Sequence, residues 1–225
     1  NHGADFLIKD MHRLTLIMKK NYPDLPYVLI GHSMGSYMSR KYASIYGDEL
    51  DGVIFLGTGN QPKAVVDSGL KLAHIAKLVR GERYRSELLN TIMFGAYNKR
   101  IKDNRTANDW LTKDTKIVDE YLSDPKCSYK FTANAYIGFL NVIKYDIDKK
   151  NIAKTPDKLP VLFASGLEDP VGDYGKGVKK AFKMYTKYVD NVELYLYEDD
   201  RHELHSETDR EDIFSDLYEW IEENV

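Results

Sequence analysis

Residues 27–39 read YVLIGHSMGSYMS, and this stretch decides how the rest of the chain is understood. Four apolar residues, 27–30, run into Gly31-His32-Ser33-Met34-Gly35. Helical spacing then begins, with Met38, Tyr42 and Ile45 as its apolar positions and Gly47 as its C-cap. A continuous apolar run of this length suits a strand buried on both faces of a parallel sheet. Strand, tight turn and helix form the context in which G-x-S-x-G carries meaning. The turn is sharp enough to strain its central residue and to project the serine hydroxyl at the helix N-terminus. Glycines at 31 and 35 let strand and helix approach without a Cβ clash. The Met34 N–H and the helix dipole are then placed to stabilise a developing oxyanion. The plain alternative is a Gly-Ser turn with no chemistry.

A serine hydroxyl is a weak nucleophile at neutral pH, so it needs a base within reach and an acid that orients the base. In an α/β sheet these come from loops after later strands, in the order Ser, acid, His. Three further strands are predicted, at 52–57 (GVIFLG), 159–165 (LPVLFAS) and 192–198 (VELYLYE). After the third strand of the chain comes SGLEDPVGD, with Glu168, Asp169 and Asp173; after the fourth comes EDDRHELHSE, with His202 and His205. Asp169 is favoured as the acid because it lies just past the strand, where Pro170 biases it to an extended conformation. Asp173 would instead pin the glycine-rich loop. His202 is favoured as the base because it follows the strand directly, and His205 lies nearer the next helix. A turn aspartate and a surface histidine are the bland readings. His32 is expected to pack near the site, among the substrate-binding residues.

Helical periodicity appears at 5–20 (Leu7, Met11, Leu14 and Met18 inward), at 176–189, and from Thr208, where Thr208 and Glu211 have capping-box spacing. Strands alternating with helices imply βαβ units and a doubly covered parallel sheet, hence an α/β fold. Between about 60 and 156 the alternation stops, and helical pieces at 70–80, 86–94, 113–122 and 131–145 take over. This predicts a core of residues 1–59 and 157–225 with a helical cap at 60–156. In the cap, Phe131, Tyr136, Ile137, Phe139, Leu140 and Ile143 either face an acyl chain or pack the cap on the sheet; Phe139 and Ile143 are taken as substrate-binding.

The chain has 225 residues, a net charge of −3 and one cysteine, Cys127. That charge gives no reason to bind nucleic acid. A single cysteine permits no intrachain disulfide and suits a reducing compartment, so a cytoplasmic setting is expected. No apolar run approaches a membrane span. No metal-ligand spacing is present, and neither a metal nor an organic cofactor is expected.

Together, GHSMGS (31–36), DPVGDYGKGV (169–178) and RHE (201–203) with Glu207 resemble the α/β-hydrolase superfamily. The branch they resemble is the bacterial lysophospholipase and monoacylglycerol-lipase-like group, often labelled serine aminopeptidase-like. FGAYNKR (94–100) and RTANDWLTKD (105–114) share the resemblance, which runs along essentially the whole chain. It implies Ser33 as nucleophile, Asp169 as acid, His202 as base and the Met34 amide as one oxyanion donor. It also implies a small-molecule or lipid ester as substrate, a medium or long acyl ester such as a lysophospholipid or monoacylglycerol. Where the family commonly has Asn before the glutamate that follows the histidine, this chain has Ser206 before Glu207.

Family members place about four more strands before the elbow, one of whose loops supplies the second oxyanion N–H. The stretch NHG at 1–3 has no strand before it and is not read as that loop. The expectation is a chain lacking those strands and that donor, with the missing part on absent residues or a separate chain and an apolar strand edge at 27–30. Two other classes stay open. One is an aminopeptidase-like hydrolase, which needs a carboxylate to hold the substrate amine; the sequence assigns none of the cap acids Asp109, Asp114, Asp119 and Glu120 to that task. The other is an inactive fragment or interaction protein.

Overall fold

The computed structural model describes residues 3–102, 104–127 and 129–225, so Asn1 and His2 of the NHG stretch lie outside the described residues. Four strands, β1 (Val28–His32), β2 (Gly52–Leu56), β3 (Val161–Gly166) and β4 (Val192–Tyr197), form one sheet in the order β1-β2-β3-β4. All three pairings are parallel. Side chains alternate across the sheet. Val53, Phe55, Val161 and Phe163 face one core, and Ile54, Leu56, Leu162 and Ala164 face the other.

Helices cover both faces. Tyr37, Met38 and Tyr42 of α2 (Met34–Tyr46) and Val178, Ala181 and Tyr185 of α8 (Lys176–Tyr185) pack on the first face. Ile213, Leu217 and Trp220 of α9 (Arg210–Asn224) pack on the second. Between β2 and β3 the chain forms α3 (Lys63–Arg80), α4 (Glu87–Phe94), α5 (Thr115–Ser123), α6 (Ala133–Asp146) and α7 (Lys149–Ile152). α6 packs along α3 and α2, so the helical segment shares the first core.

Several expectations need correction. The first helix, α1 (Gly3–Asn21), buries Ile8 and Thr15, whereas Leu7 and Leu14 are exposed. The helix is turned because Thr15 Oγ1 accepts from Tyr42 Oη (2.8 Å) and donates to Met11 O (3.2 Å), a polar pairing that the apolar periodicity hides. β1 is not buried on both faces: Ile30 is 49% exposed. Register pairs Ile30 with Ile54, on the face that α9 covers, but β1 is the edge of the sheet, the apolar edge expected at 27–30. Ile45 is exposed although it continues the Met38–Tyr42 stripe. The Thr208 capping box does not form: α9 begins at Arg210 without a side-chain cap, and Asp209 lies 3.5 Å from Lys113 Nζ instead.

Candidate active site

The strand-to-helix turn holds Ser33 at φ 54° and ψ −120°, a region that costs a residue with a Cβ. The Ser33 N–H donates to Leu56 O (3.0 Å), which ties the turn to the end of β2. Gly31 is required by close approach: a Cβ there would lie 2.3 Å from Ser39 Oγ and 2.6 Å from Gly35 O. The expectation for Gly35 is corrected, since a Cβ at that position would meet nothing within 4 Å among the described residues. Met34 opens α2, so its N–H has no acceptor within the helix.

From the loop after β4, His202 reaches over the sheet. Its Nε2 lies 2.8 Å from Ser33 Oγ, and its Nδ1 lies 3.0 Å from Asp169 Oδ2. Asp169 is fully buried, and its Oδ1 accepts the Val171 N–H (2.8 Å). A carboxylate can only accept, so this network assigns the proton to Nδ1 and leaves the Nε2 lone pair facing the Ser33 hydroxyl. Such an arrangement can take a proton from the alcohol while the carboxylate holds the ring in one tautomer. Of the other loop groups, Glu168 and His205 are exposed, and Asp173 sits at φ 49°.

His32 leans on the backbone of the base. Its Nε2–H donates to His202 O (3.1 Å), and its ring centroid lies 4.7 Å from those of both His202 and His205. Burial first, and then the two neighbouring imidazoles, push its pKa down to about 3. It is therefore neutral near pH 7, and it does not line the cavity described below.

Beneath and around His202 are contacts that sequence reasoning did not assign. Gly57, at φ 56°, leaves room for the imidazole: a Cβ would come within 3.1 Å of its ring and its carbonyl oxygen. Trp110 packs on the ring with centroids 5.0 Å apart, and Tyr97 packs in turn on Trp110 at 4.7 Å. Segment 109–113 is laced to the histidine loop. Glu203 N donates to Leu111 O (2.7 Å), and Arg201 Nη1 donates to Asp109 O (2.6 Å) and Thr112 O (3.0 Å). The fully buried Glu207 carboxylate accepts from Arg201 N (2.7 Å), Lys113 N (2.9 Å) and Thr112 Oγ1 (2.9 Å). Burial raises the Glu207 pKa against the pull of those donors. The signal available in the sequence is Trp110, a lone large aromatic within the polar stretch 105–114.

A cavity of about 740 Å³ opens onto Ser33. Val66 and Leu72 of α3, Met93 of α4, and Phe139, Leu140 and Ile143 of α6 form its apolar walls, and Trp110 stands at the histidine end. Tyr136 and Ile137 belong to the core instead, and Phe131 lines a separate cavity of about 490 Å³ between α1 and α6 that also touches Met34. Asp109, Asp114, Asp119 and Glu120 do not line the larger cavity; its one acid among the described residues is Asp173.

Away from the cavity, Asp200, Glu207 and Asp209 bring carboxylate oxygens within 4.8 Å of one another. The Lys113 ammonium contacts Asp200 and Asp209, so a cation of the chain itself already sits there. No helix among the described residues is long and apolar enough to cross a membrane.

Residues 2–209 match the family described as serine aminopeptidase, S33. Among solved structures, the chain is similar to a highly thermostable carboxyl esterase from Bacillus coagulans in complex with glycerol. The identity is 28% and the TM-score 0.89, covering 96% of this chain and 71% of that one. A lipase in its open form is similar at 28% identity and a TM-score of 0.88, covering 99% and 73%. The chain is also 21% identical over 216 residues to the monoglyceride lipase homolog of monkeypox virus, spanning 95% of this chain and 69% of that protein. The fold is that of the α/β-hydrolases.

Proposed function

Because this chain belongs to the serine aminopeptidase, S33, family of α/β-hydrolases, we propose that it is a serine hydrolase that cleaves carboxylic esters through an acyl-enzyme. The observation that carries this reading is the unbroken run of hydrogen-bond distances from Ser33 Oγ through the His202 ring to the buried Asp169. In the first step His202 Nε2 takes the Ser33 proton as Oγ attacks the acyl carbonyl. The oxyanion draws on the Met34 N–H and the α2 dipole. His202 returns the proton to the leaving alcohol. In the second step it activates water, which releases the acid and restores Ser33. Asp169 orients the imidazole and stabilises its charged form throughout.

The substrate we infer is a medium or long acyl ester, a lysophospholipid or monoacylglycerol, with its chain against Phe139 and Ile143 in the apolar cavity. Residues 60–156 then act as a cap on a core of 1–59 and 157–225. An amine-binding carboxylate for a peptide substrate finds less support: Asp109, Asp114, Asp119 and Glu120 lie off the cavity wall, where Asp173 is the one acid among the described residues.

A fluorophosphonate probe tests the reading directly. It should label the wild-type chain and not Ser33→Ala; equal labelling of the two would remove Ser33 from the reaction. A series of p-nitrophenyl esters should favour medium or long acyl groups, and a preference for acetate would exclude an acyl-chain cavity.

A further inference from the structure

The helix α3 has two apolar faces. Val66, Leu70 and Ala73 are buried in the first core, where α3 packs on α6. Val65, Leu72, Ile75 and Val79, spaced seven, three and four positions apart, form a second stripe that is exposed along its length. Leu78 stands beside that stripe and is 87% exposed. On α4, Leu88 and Ile92 are one turn apart and exposed as well. A contiguous apolar face left in water marks a surface that something covers. The stripe runs to the mouth of the Ser33 cavity, because Val65, Leu72 and Ile92 are both exposed and part of its wall.

The charge around the stripe is opposite in sign to that of the chain. Residues 63–100 hold eight Lys and Arg against three Asp and Glu, a net +5, whereas the whole chain carries −3. The three acids are already engaged: Asp67 by Lys63 and Lys144, Glu82 by Lys77, and Glu87 by Lys130. Lys71, Arg80 and Arg83 are exposed and form no ion pair among the described residues. Lys71 lies one turn before Ile75, and Arg80 and Arg83 follow Val79.

We propose that α3 and α4 form a docking surface for an anionic lipid bilayer. The aliphatic stripe enters the boundary of the acyl region, and Lys71, Arg80 and Arg83 meet the headgroup phosphates. A basic helix with an apolar stripe lies in a bilayer interface rather than spanning it, and its cations gain from the negative surface potential. The remainder of the chain is acidic, so an anionic surface repels it and selects the orientation with this segment inward. A second copy is a poorer occupant, since a two-fold contact would set the same basic segment against itself. The docked orientation puts the cavity mouth on the bilayer, and an acyl chain then passes from lipid to the cavity without crossing water. Only that last step rests on Ser33 acting as the ester-cleaving nucleophile; the docking does not require it.

Co-sedimentation with vesicles tests the surface, using the Ser33→Ala chain so that no lipid is consumed. Partitioning into vesicles of phosphatidylcholine and phosphatidylglycerol in equal parts should exceed that into phosphatidylcholine alone by about tenfold or more, and added salt should shrink the difference. Leu78→Glu/Val79→Glu should lower partitioning about tenfold or more, and Lys71→Glu/Arg83→Glu should abolish the preference for the mixed vesicles. None of these four residues lines the Ser33 cavity. With Ser33 restored, both double variants should therefore keep wild-type turnover of a soluble p-nitrophenyl ester and lose turnover of a monoacylglycerol held in the mixed vesicles. No binding to the mixed vesicles, or equal partitioning with and without Leu78→Glu/Val79→Glu, overturns the proposal. A dimer in sedimentation that the same double substitution splits would also overturn it, by making the face a contact between copies. Those results leave Ser33 in place, since fluorophosphonate labelling reads it separately. Vesicle binding by a wild-type chain that the probe does not label would overturn the nucleophile and keep the docking surface.

Discussion

His202 Nε2 lies 2.8 Å from Ser33 Oγ although 169 positions of chain separate them. The two meet because β1 and β4 end at the same rim of a parallel sheet, where α/β folds gather their loops. On this geometry, His202→Ala and Asp169→Asn should each lower kcat on a p-nitrophenyl ester by roughly 10⁴-fold or more. Circular dichroism should show the fold intact. A loss of less than about tenfold in His202→Ala would remove the base assignment.

Strain at Ser33 predicts a trade between stability and activity. At φ 54° a Cβ is penalised, so Ser33→Gly should be more stable than Ser33→Ala by about 1 kcal/mol. Both variants should be inactive. Denaturant melts of the pair supply the comparison, and equal midpoints would argue that the turn is relaxed.

Gly57 is held under the imidazole at a positive φ, so Gly57→Ala meets strain and crowding together. The expected cost is roughly 2 kcal/mol of stability, with a kcat loss of about tenfold or more as the His202 ring is displaced. Wild-type kcat in this variant would show that the ring has slack.

His32 sets a pH dependence for stability. Its folded pKa, about 3, lies below the ordinary histidine value of 6.5, chiefly because the ring is buried. The unfolded chain therefore binds a proton that the folded chain refuses. Stability from this residue is complete above about 6.5 and is lost as the pH falls from there towards about 3. His32→Asn should flatten the acid limb of a plot of unfolding free energy against pH between those values. An unaltered limb would place the acid sensitivity elsewhere.

Glu207 fastens segment 112–113 to the loop that carries His202. Removing the carboxylate leaves the part-buried Arg201 and Lys113 N–H groups short of an acceptor, while the Thr112 hydroxyl keeps Ser206 O (2.8 Å). Glu207→Ala should cost about 3 kcal/mol or more and lower kcat along with it. Glu207→Gln keeps one acceptor oxygen and should lose less on both counts. Thermal melts and ester turnover, measured on the same preparations, decide the order of the three proteins.

The sequence by itself determined what depends on near neighbours. Apolar runs marked the four strands, apolar periodicity marked most of the helices, and Gly31-His32-Ser33-Met34-Gly35 marked the turn. Such features follow from backbone sterics and from periods of 2 and 3.6, which act within a few residues. Only the tertiary structure decided what rests on distant partners. It turned α1 onto Thr15 to meet Tyr42, and showed that among the described residues Gly31 and not Gly35 is required by close packing. It put the sequence-favoured Asp169 3.0 Å from His202 Nδ1, and set Trp110 and Glu207 around the histidine loop. Those outcomes depend on which buried donors and acceptors find each other once the layers close, a choice made by three-dimensional packing and invisible to any local pattern.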